Sequence, residues 1–214
     1  MTPHILIPCK ALAAGKSRLA AVLDADGRRR LCASLLNRIL DLAILVLPPG
    51  QCHLVSGDPA AVALAAERGI DSFGDVGGGL NAALTAARGA LCRRAPPPST
   101  LLVLPIDLPW ATVTSVASAL ARDADLVIAP DRTRTGSNLL ALSAPALARF
   151  AFGFGEASFA GHLAQAQAAG LSVAILEDAG LAFDIDAPAD YLEWQARNGP
   201  GEAATSQRPL SSSR

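Results

Sequence analysis

Three cations, Lys10, Lys16 and Arg18, lie just after the apolar run Ile5-Leu6-Ile7-Pro8. That run reads as a buried strand, so Pro8-Cys9-Lys10-Ala11-Leu12-Ala13-Ala14-Gly15-Lys16-Ser17-Arg18-Leu19 is the loop that leaves its carboxyl end. Backbone N–H groups of such a loop point at an anion, and lysine and arginine add positive charge. We interpret it as a phosphate-binding loop, with a basic surface turn as the alternative. The Walker spacing fails, because the first glycine of that motif would fall at Lys10.

A carboxylate follows the clearest strand of the chain, in the segment Leu104-Pro105-Ile106-Asp107-Leu108-Pro109. Two prolines hold Asp107 rigidly at the carboxyl edge of the predicted sheet. A hard oxygen ligand at this place suits Mg²⁺, which takes few protein ligands and shares the rest with phosphate and water. The alternative is an aspartate that caps the next helix. We favour the metal ligand.

A second acidic segment reads Phe183-Asp184-Ile185-Asp186-Ala187-Pro188-Ala189-Asp190. Asp184 and Asp186 share one face if the segment is extended, because side chains alternate along a strand. Either of them could complete a metal site with Asp107. Alternatively, Asp186 starts a turn, and Asp190 sits in the first turn of a helix near its positive end.

Glycines precede a predicted helix in Gly74-Asp75-Val76-Gly77-Gly78-Gly79-Leu80-Asn81-Ala82-Ala83-Leu84. Glycine permits close approach of the backbone to a flat ligand. Asn81 has an amide that can hydrogen-bond a base or a ribose. The segment therefore favours contact with a nucleoside, and a flexible loop is the alternative.

Two further segments offer glycine, hydroxyl and backbone N–H groups near the ends of elements: Arg134-Thr135-Gly136-Ser137-Asn138-Leu139-Leu140 and Phe152-Gly153-Phe154-Gly155-Glu156-Ala157-Ser158-Phe159. Such groups suit a small anionic acceptor. His162 lies one turn beyond Ser158 and could face the same pocket, although ordinary helix packing is the more common role of a single histidine.

The elements that must position these residues alternate between strand and helix, which indicates βαβ units and a mostly parallel sheet. Residues 139–142 could add an antiparallel strand and make the sheet mixed. Ligands of such sheets bind beyond the carboxyl ends of the strands, where the segments above lie. The predicted strands are 5–8, 53–56, 70–73, 101–104, 126–129, 139–142 and 173–176, and the predicted helices are 26–45, 60–68, 80–92, 112–121, 145–150, 158–169 and 189–197.

The composition fits one α/β domain, which we place at residues 1–197, with a disordered tail at 198–214 that is rich in Gly, Pro, Ser and charge. Charged residues make up 17% of the 214 residues and the net charge is −1, so nothing favours nucleic acid or an anionic membrane as a partner. No secretory signal and no spanning apolar run stands in the sequence, which predicts a cytoplasmic protein. The four cysteines form no CxxC pair and are expected to be free thiols, mostly buried.

Together these motifs resemble the 2-phospho-L-lactate guanylyltransferase family (CofC-type) of the MobA-like nucleotidyltransferases. The resemblance covers roughly residues 4–194. It rests on six segments in the family's order, which are Ile7-Pro8-Cys9-Lys10 through Lys16-Ser17-Arg18-Leu19, Gly78-Gly79-Leu80-Asn81-Ala82-Ala83-Leu84, Leu104-Pro105-Ile106-Asp107-Leu108-Pro109, Gly136-Ser137-Asn138-Leu139-Leu140, Phe154-Gly155-Glu156-Ala157-Ser158-Phe159 with His162, and Asp184-Ile185-Asp186. It implies a single-domain, Rossmann-like three-layer fold.

The resemblance also implies a reaction in which GTP donates GMP to the phosphate of a three-carbon acid in coenzyme F-420 biosynthesis. The family's acceptors are 2-phospho-L-lactate, phosphoenolpyruvate and 3-phosphoglycerate. The implied catalytic residues are Lys16, Arg18 and Asp107, and the implied ligands of Mg²⁺ are Asp107, Asp184 and Asp186. The implied nucleotide-binding residues are Pro8, Lys10, Leu12, Lys16, Gly79, Asn81 and Asp107, and the implied acceptor-binding residues are Ser137, Asn138, Gly155 and Ser158. A homodimer is left open.

Three positions depart from the family pattern: Ser137 stands where Thr is usual, Ala187 replaces a Thr, and Gly15 replaces an Ala. The alternatives are a molybdopterin or sugar-phosphate nucleotidyltransferase, whose first loop is richer in glycine, and a non-catalytic nucleotide-binding module. An NAD-dependent oxidoreductase would need a G-x-G-x-x-G after the first strand, and this chain has none there.

Overall fold

A single mixed sheet organises the chain. The computed structural model describes residues 2–74 and 76–202, with side chains up to residue 198. The strands are β1 (Pro3–Pro8), β2 (Cys52–Val55), β3 (Asp71–Phe73), β4 (Thr100–Val103), β5 (Leu126–Pro130), β6 (Ser137–Ser143) and β7 (Val173–Ile175). Their order is β3-β2-β1-β4-β6-β5-β7. β6 runs antiparallel to β4 and β5, and the other neighbours are parallel, which confirms the predicted mixed sheet.

Helices connect these strands and lie close to their predicted positions. They are α1 (Ala25–Val46), α2 (Pro59–Ala66), α3 (Gly79–Cys92), α4 (Val113–Ala121), α5 (Ala144–Arg149), α6 (Ser158–Ala168), α7 (Ala179–Ala182) and α8 (Pro188–Glu202), with short 3-10 helices at Ser17–Ala21 and Pro49–Gln51. The sequence did not predict α7 or the 3-10 helices. α8 ends at Glu202, five residues past the predicted domain limit at residue 197. The remainder of the predicted tail, 203–214, lies outside the described residues.

Side chains alternate along the central strands and supply two hydrophobic layers. Ile5 and Ile7 of β1 pack on the side that holds α1 and α4. Leu6 packs on the opposite side, with α3, α5 and α6. Because helices cover both faces, the five inner strands are buried almost throughout, whereas the edge strands β3 and β7 are largely exposed. This arrangement confirms the three-layer α/β fold.

Side-chain caps fix where several helices begin. The Asp24 carboxylate accepts the backbone N–H of Gly27 at the start of α1, and Thr112 does the same for Ser115 in α4. Asp58 accepts the N–H of Ala60 at the start of α2. Each cap satisfies a backbone donor that the helix itself leaves unpaired.

The antiparallel strand β6 matters most for the site. Its pairing with β4 matches Val103 with Leu140, so the first residues of β6 lie beyond the carboxyl end of β4. The turn that carries Asp107 therefore leaves the sheet at the edge where Ser137 enters it. Among the helices of the described residues, none combines the length and apolar character that crossing a bilayer requires.

Candidate active site

The loop after β1 folds back on itself. The N–H groups of Ala14 and Gly15 both donate to the carbonyl of Ala11, at 2.8 and 3.0 Å. Lys16 then adopts a left-handed conformation with φ of 55° and caps the 3-10 helix at Ser17–Ala21. Few L-residues adopt this conformation, so the surrounding loop must hold it. The turn leaves the Lys16 side chain only 8% exposed.

Lys16 joins two acidic segments of the chain. Its Nζ lies 2.8 Å from Oδ2 of Asp107, at the end of β4, and 3.6 Å from Oδ1 of Asp186. Arg18 reaches the other oxygen of Asp186 at 2.7 Å. The structure thus brings together both predicted catalytic cations and two of the three predicted metal ligands.

The third acid, Asp184, is half-buried beside them, and its pKa is raised. Burial, followed by the charge of Asp107, raises the pKa of Asp184 to about 6. Burial alone would lower the pKa of Lys16, but the carboxylates of Asp107, Asp186 and Asp184 outweigh it and raise that pKa. Negative charge is therefore crowded around a single ammonium group.

The segment that carries Asp184 and Asp186 is held at both ends. The N–H of Ile185 donates to the carbonyl of Asp107 at 3.0 Å. The N–H groups of Asp186 and Ala187 both donate to Oδ2 of Asp190, at 3.0 and 2.7 Å. Asp190 lies in the first turn of α8, as the alternative interpretation expected, and this role does not exclude metal binding by the residues it holds.

A divalent cation fits the chemistry of this cluster. The donors are hard carboxylate oxygens, which Mg²⁺ and similar ions prefer. The Lys16 ammonium already stands in for a cation between Asp107 and Asp186. Within the part of the chain that the structure describes, no three acidic, histidine or cysteine side chains are yet gathered closely enough to hold a metal. Metal binding would therefore require Lys16 to move and the carboxylates to converge.

A first cleft of about 450 Å³ opens at this cluster. Its lining combines the phosphate loop with the acids and includes, among the predicted site residues, Pro8, Lys10, Lys16, Arg18, Asp107 and Asp186. A second cleft of about 630 Å³ adjoins it between the ends of β1 and β2 and the glycine-rich turn before α3. Pro8 and Lys10 line both clefts, and Gly79 lines the second. The two clefts together match the space that a nucleotide with a phosphate chain would need.

Two of the predicted nucleotide-binding residues, Leu12 and Asn81, form hydrogen bonds that hold loops of the site. Leu12 is buried and lines neither cleft, and its backbone N–H donates to Oδ2 of Asp58 at 2.7 Å. Asn81 uses both ends of its amide on one residue: Oδ1 accepts from the N–H of Phe154 and Nδ2 donates to its carbonyl, at 2.9 and 3.0 Å. In this structure both polar atoms of the Asn81 amide therefore bond the backbone of Phe154, and the expected hydrogen bond to a base or ribose would have to replace one of these bonds.

Two of the four predicted acceptor-binding residues, Ser137 and Ser158, form a hydrogen-bonded group with His162. Ser137 Oγ lies 2.9 Å from His162 Nδ1, and the N–H of Ser137 donates to Ser158 Oγ at 3.0 Å. Gly155, in the loop before α6, has φ of 145°, which favours glycine. Asn138 points to the other side of the sheet, where its amide donates to the Leu181 carbonyl and, at 3.3 Å, to Asp184.

Several positioning residues escaped sequence reasoning. Asp58 tethers the phosphate loop, Asp190 holds the acidic segment, and Asp131 accepts the N–H groups of Thr135 and Gly136 in the turn before β6. The Asp58-Pro59 pair is a helix-start signal that could have located the cap of α2. Its second bond, to the loop after β1, had no sequence signal.

Comparison with solved structures identifies the fold class. The chain superimposes on a nucleotidyl transferase from Methanothermobacter thermautotrophicus with a TM-score of 0.63 and 17% identity, covering 91% of this chain and 97% of that one. The protein therefore has the fold of the nucleotidyltransferases.

Comparison of sequences gives the family. The family model described as guanylyl transferase, CofC like, matches residues 3–205. The phosphoenolpyruvate guanylyltransferase of Sphaerobacter thermophilus is 40% identical over 209 residues, covering 97% of this chain and 99% of that one. The 3-phospho-D-glycerate guanylyltransferase of Phenylobacterium zucineum is 36% identical over 184 residues, covering 83% of each chain. The chain belongs to the CofC-like guanylyl transferase family, which confirms the resemblance found in its motifs.

Proposed function

We propose that this protein transfers GMP from GTP to the phosphate of a small three-carbon acid and releases pyrophosphate. The observation that carries the proposal is the meeting of Lys16 with Asp107 and Asp186 at the wall of the first cleft. Transfer between two anions needs cations and metal-binding carboxylates in one place, because repulsion is the main obstacle. Family membership supports a guanine nucleotide as the donor.

The reaction needs no strong general base. An acceptor phosphate oxygen, already ionised at neutral pH, forms a bond to the α-phosphorus of GTP. The bond from that phosphorus to the oxygen bridging to the β-phosphate breaks, and pyrophosphate leaves with the electron pair. In the proposal, Lys10, Lys16 and Arg18 hold the triphosphate and orient its α-phosphorus towards the acceptor.

Asp107, Asp184 and Asp186 would hold a divalent ion, which we propose is Mg²⁺. When bound, the ion would neutralise charge on the reacting phosphates. Arg18 reaches Asp186 from an exposed position, so it could shift from the carboxylate to the pyrophosphate without leaving a buried charge unpaired.

The second cleft is the proposed place of the nucleoside. Gly79 and Pro8 line it and would allow the backbone to approach the flat base. Leu12 and Asn81 contribute through the loops they hold: Leu12 links the phosphate loop to Asp58, and Asn81 fixes the backbone of Phe154, whose side chain lines the first cleft.

The acceptor is proposed to lie at Ser137, Asn138, Gly155 and Ser158. Phosphoenolpyruvate and 3-phosphoglycerate are supported by the names of the relatives, and 2-phospho-L-lactate is retained from the motif resemblance. A role in coenzyme F-420 biosynthesis, a cytoplasmic location, a homodimer, the lack of a nucleic-acid or membrane partner and the domain limit at residue 197 stay predictions.

A pyrophosphate-release assay tests the proposal. The protein is incubated with Mg²⁺ and each of the four NTPs, and each of the three acids and a sugar phosphate are tried in turn as acceptor. We expect release with GTP and at least one acid. Replacing Asp107 with Asn keeps an oxygen near Lys16 but removes the charge, and it should lower turnover by about a hundredfold or more.

The outcomes separate the alternatives. Absence of release in every combination would refute the proposed function. Release only with CTP or only with a sugar phosphate would keep the reaction class and reject the donor or the acceptor. A D107N protein that turns over normally would reject the role of the acidic cluster. Its unfolding midpoint should stay close to that of the unchanged protein, which separates lost chemistry from lost fold.

A further inference from the structure

His162 is buried in α6 and bonded through both ring nitrogens. It is 1% exposed. Its Nδ1 lies 2.9 Å from Ser137 Oγ, at the start of β6. Its Nε2 accepts the backbone N–H of Gly153 at 3.0 Å, in the loop before α6. The ring therefore links the two segments that carry the proposed acceptor-binding residues.

These bonds determine the tautomer of His162. A backbone N–H can only donate, so Nε2 must be without a proton. Burial lowers the pKa of His162 to about 4, so the ring is neutral near pH 7. A neutral ring keeps one proton, which must then sit on Nδ1 and be donated to Ser137 Oγ. This is the less common tautomer of free histidine, and the two contacts select it.

The same bonds determine which hydroxyl protons are left to donate. Ser137 Oγ accepts from His162, so its own proton remains available for another acceptor. Ser158 Oγ accepts the N–H of Ser137, so its proton is available as well. Two O–H donors at one edge of the sheet suit the oxygens of a phosphate or carboxylate. Asn138, next in the chain to Ser137, contacts Asp184 from the opposite face of β6, so the two hydroxyls and the proposed metal cluster share one edge of the sheet.

The loop that His162 holds also reaches the first cleft. His162 fixes Gly153, and Asn81 of α3 fixes the neighbouring Phe154 from the other side. The ring of Phe154 packs against His162 at 5.4 Å between centroids and lines the first cleft. Loss of the His162 bonds would therefore release the Ser137 hydroxyl and the backbone of Gly153, whereas Asn81 would still hold Phe154 at the wall of the cleft.

We propose that His162 is a positioning residue for the acceptor: it directs the Ser137 hydroxyl as a donor and holds the 153–155 loop in place for the incoming acid. The inference rests on the proposed function, since it names the residue that prepares the acceptor side of that same site. His162 does not itself touch the reacting atoms.

The spectroscopic test does not depend on turnover. In protein labelled with ¹⁵N-histidine, His162 should show an Nδ1–H signal and an unprotonated Nε2 at neutral pH. The assignment comes from the loss of that signal in His162→Asn. An Nε2–H tautomer would overturn the proposal, because Ser137 would then have to donate to the ring and could not donate to an acid.

The kinetic test separates positioning from simple packing. His162→Phe keeps a ring of similar size and removes both hydrogen bonds. It should raise KM for the acceptor by about tenfold, the loss expected for a hydrogen bond left unmade. KM for GTP should stay within about twofold of normal. His162→Asn retains an N–H donor on the Ser137 side and should recover part of the acceptor KM.

Gln165 provides a matched control. It lies on the same helix and also accepts a backbone N–H of the preceding loop, that of Ala151 at 2.7 Å, without contacting Ser137. Gln165→Ala should leave both KM values unchanged. Adding H162F to Ser137→Ala should raise the acceptor KM by less than H162F does in the unchanged protein, because the two residues share one of the two bonds that His162 makes.

Each result has a distinct meaning. An H162F protein that changes the two KM values equally, or changes only the unfolding midpoint, would reduce His162 to a packing residue and overturn the inference. If H162F does not fold, His162→Asn and the tautomer measurement decide the same question. An unchanged protein that releases no pyrophosphate with any acid would instead refute the proposed function.

Discussion

The Nζ atom of Lys16 lies 2.8 Å from Oδ2 of Asp107, which joins the loop after β1 to the turn after β4. These residues are far apart in the sequence, and both leave the sheet at its carboxyl edge. The contact places a positive charge at the point where carboxylates from two segments meet. A divalent cation and the Lys16 ammonium would therefore compete for the same oxygens.

This competition predicts the effect of Lys16→Met on metal binding. Removing the ammonium should tighten binding of Mn²⁺ to the nucleotide-free protein by about tenfold, since a nearly buried ion pair is worth on the order of 1 kcal/mol or more. Turnover should fall at the same time, because the triphosphate loses a cation. Electron paramagnetic resonance of free Mn²⁺ measures the affinity. Lys10→Met is the control, because Lys10 makes no ion pair with these carboxylates in the described structure. Equal Mn²⁺ affinity in the unchanged protein and K16M would contradict the competition.

Asp58 makes two bonds, and we expect one of them to affect stability and the other to affect nucleotide binding. Its carboxylate caps α2 and also holds the N–H of Leu12 in the phosphate loop. Asp58→Ala should lower the free energy of unfolding by about 1–2 kcal/mol, as for a lost cap, and raise KM for GTP several-fold. Asp24→Ala removes a cap from α1 without touching that loop and should lower stability alone. A GTP KM that rises equally in both variants would assign the effect to general loosening.

Asp190 should control the acidic segment. Its Oδ2 accepts the N–H groups of Asp186 and Ala187, and its Oδ1 lies 2.5 Å from Arg132. Asp190→Ala should lower turnover by about tenfold through misplacement of Asp186, whereas Asp190→Asn, which can still accept both N–H groups, should lose less. Steady-state kinetics at saturating GTP measure the difference. Equal losses in the two variants would show that the charge, rather than the hydrogen bonds, is what matters.

The histidines predict how stability depends on pH. His53 is fully buried, its ring lies 2.9 Å from that of His4, and burial followed by the charges of His4 and Arg94 lowers its pKa to about 4. The neighbouring carboxylate of Asp71 opposes this shift only in part. Between about pH 6.5 and 4 the unfolded chain binds a proton that the folded chain does not, so stability rises with pH in that window.

The measurement is a comparison of variants. His53→Gln should reduce the slope of unfolding free energy against pH by an amount that corresponds to at most about one bound proton. His4→Gln should reduce the slope less, because His4 is the more exposed ring. Urea unfolding between pH 4.5 and 7 gives the slopes. Subtracting the slope of each variant from that of the unchanged protein removes the contribution of Asp184, because both proteins contain it. The raised pKa of Asp184 by itself makes stability fall as the pH rises. Identical slopes in H53Q and the unchanged protein would show that folding does not lower the pKa of His53.

The sequence predicted the sheet and the places of the charged residues because both follow local rules. Apolar runs give strands, and polar residues just after strands meet at one edge of a parallel sheet. These rules are enough to predict that Lys16, Asp107 and Asp186 lie at one edge of the sheet. It missed the four-residue helix α7, since Ala-Gly-Leu-Ala is too short to show helical periodicity.

The parts that sequence reasoning could not supply depend on contacts between distant loops. Asn81 is a residue type that favours a contact with a base, yet its amide forms two hydrogen bonds with the backbone of Phe154. Asp58 shows a cap signal, but its bond to Leu12 exists only because two strand ends lie side by side. A side-chain pairing of this kind has no period or spacing from which it could be inferred.

The position of β6 between β4 and β5 divides the site into two halves of different origin. The loops after β1 and β2 and the start of α3 line the proposed donor clefts, whereas Ser137 of β6, α6 and the loop before α6 belong to the proposed acceptor side. Apart from Phe154, which lines the first cleft, substitutions in the stretch from Asp131 to His162 should therefore change the acid that is accepted while the proposed nucleotide half stays as it is. Related chains can therefore differ in the acid they prefer without a change of fold. Exchanging that one stretch between two relatives should transfer the preference of one to the other.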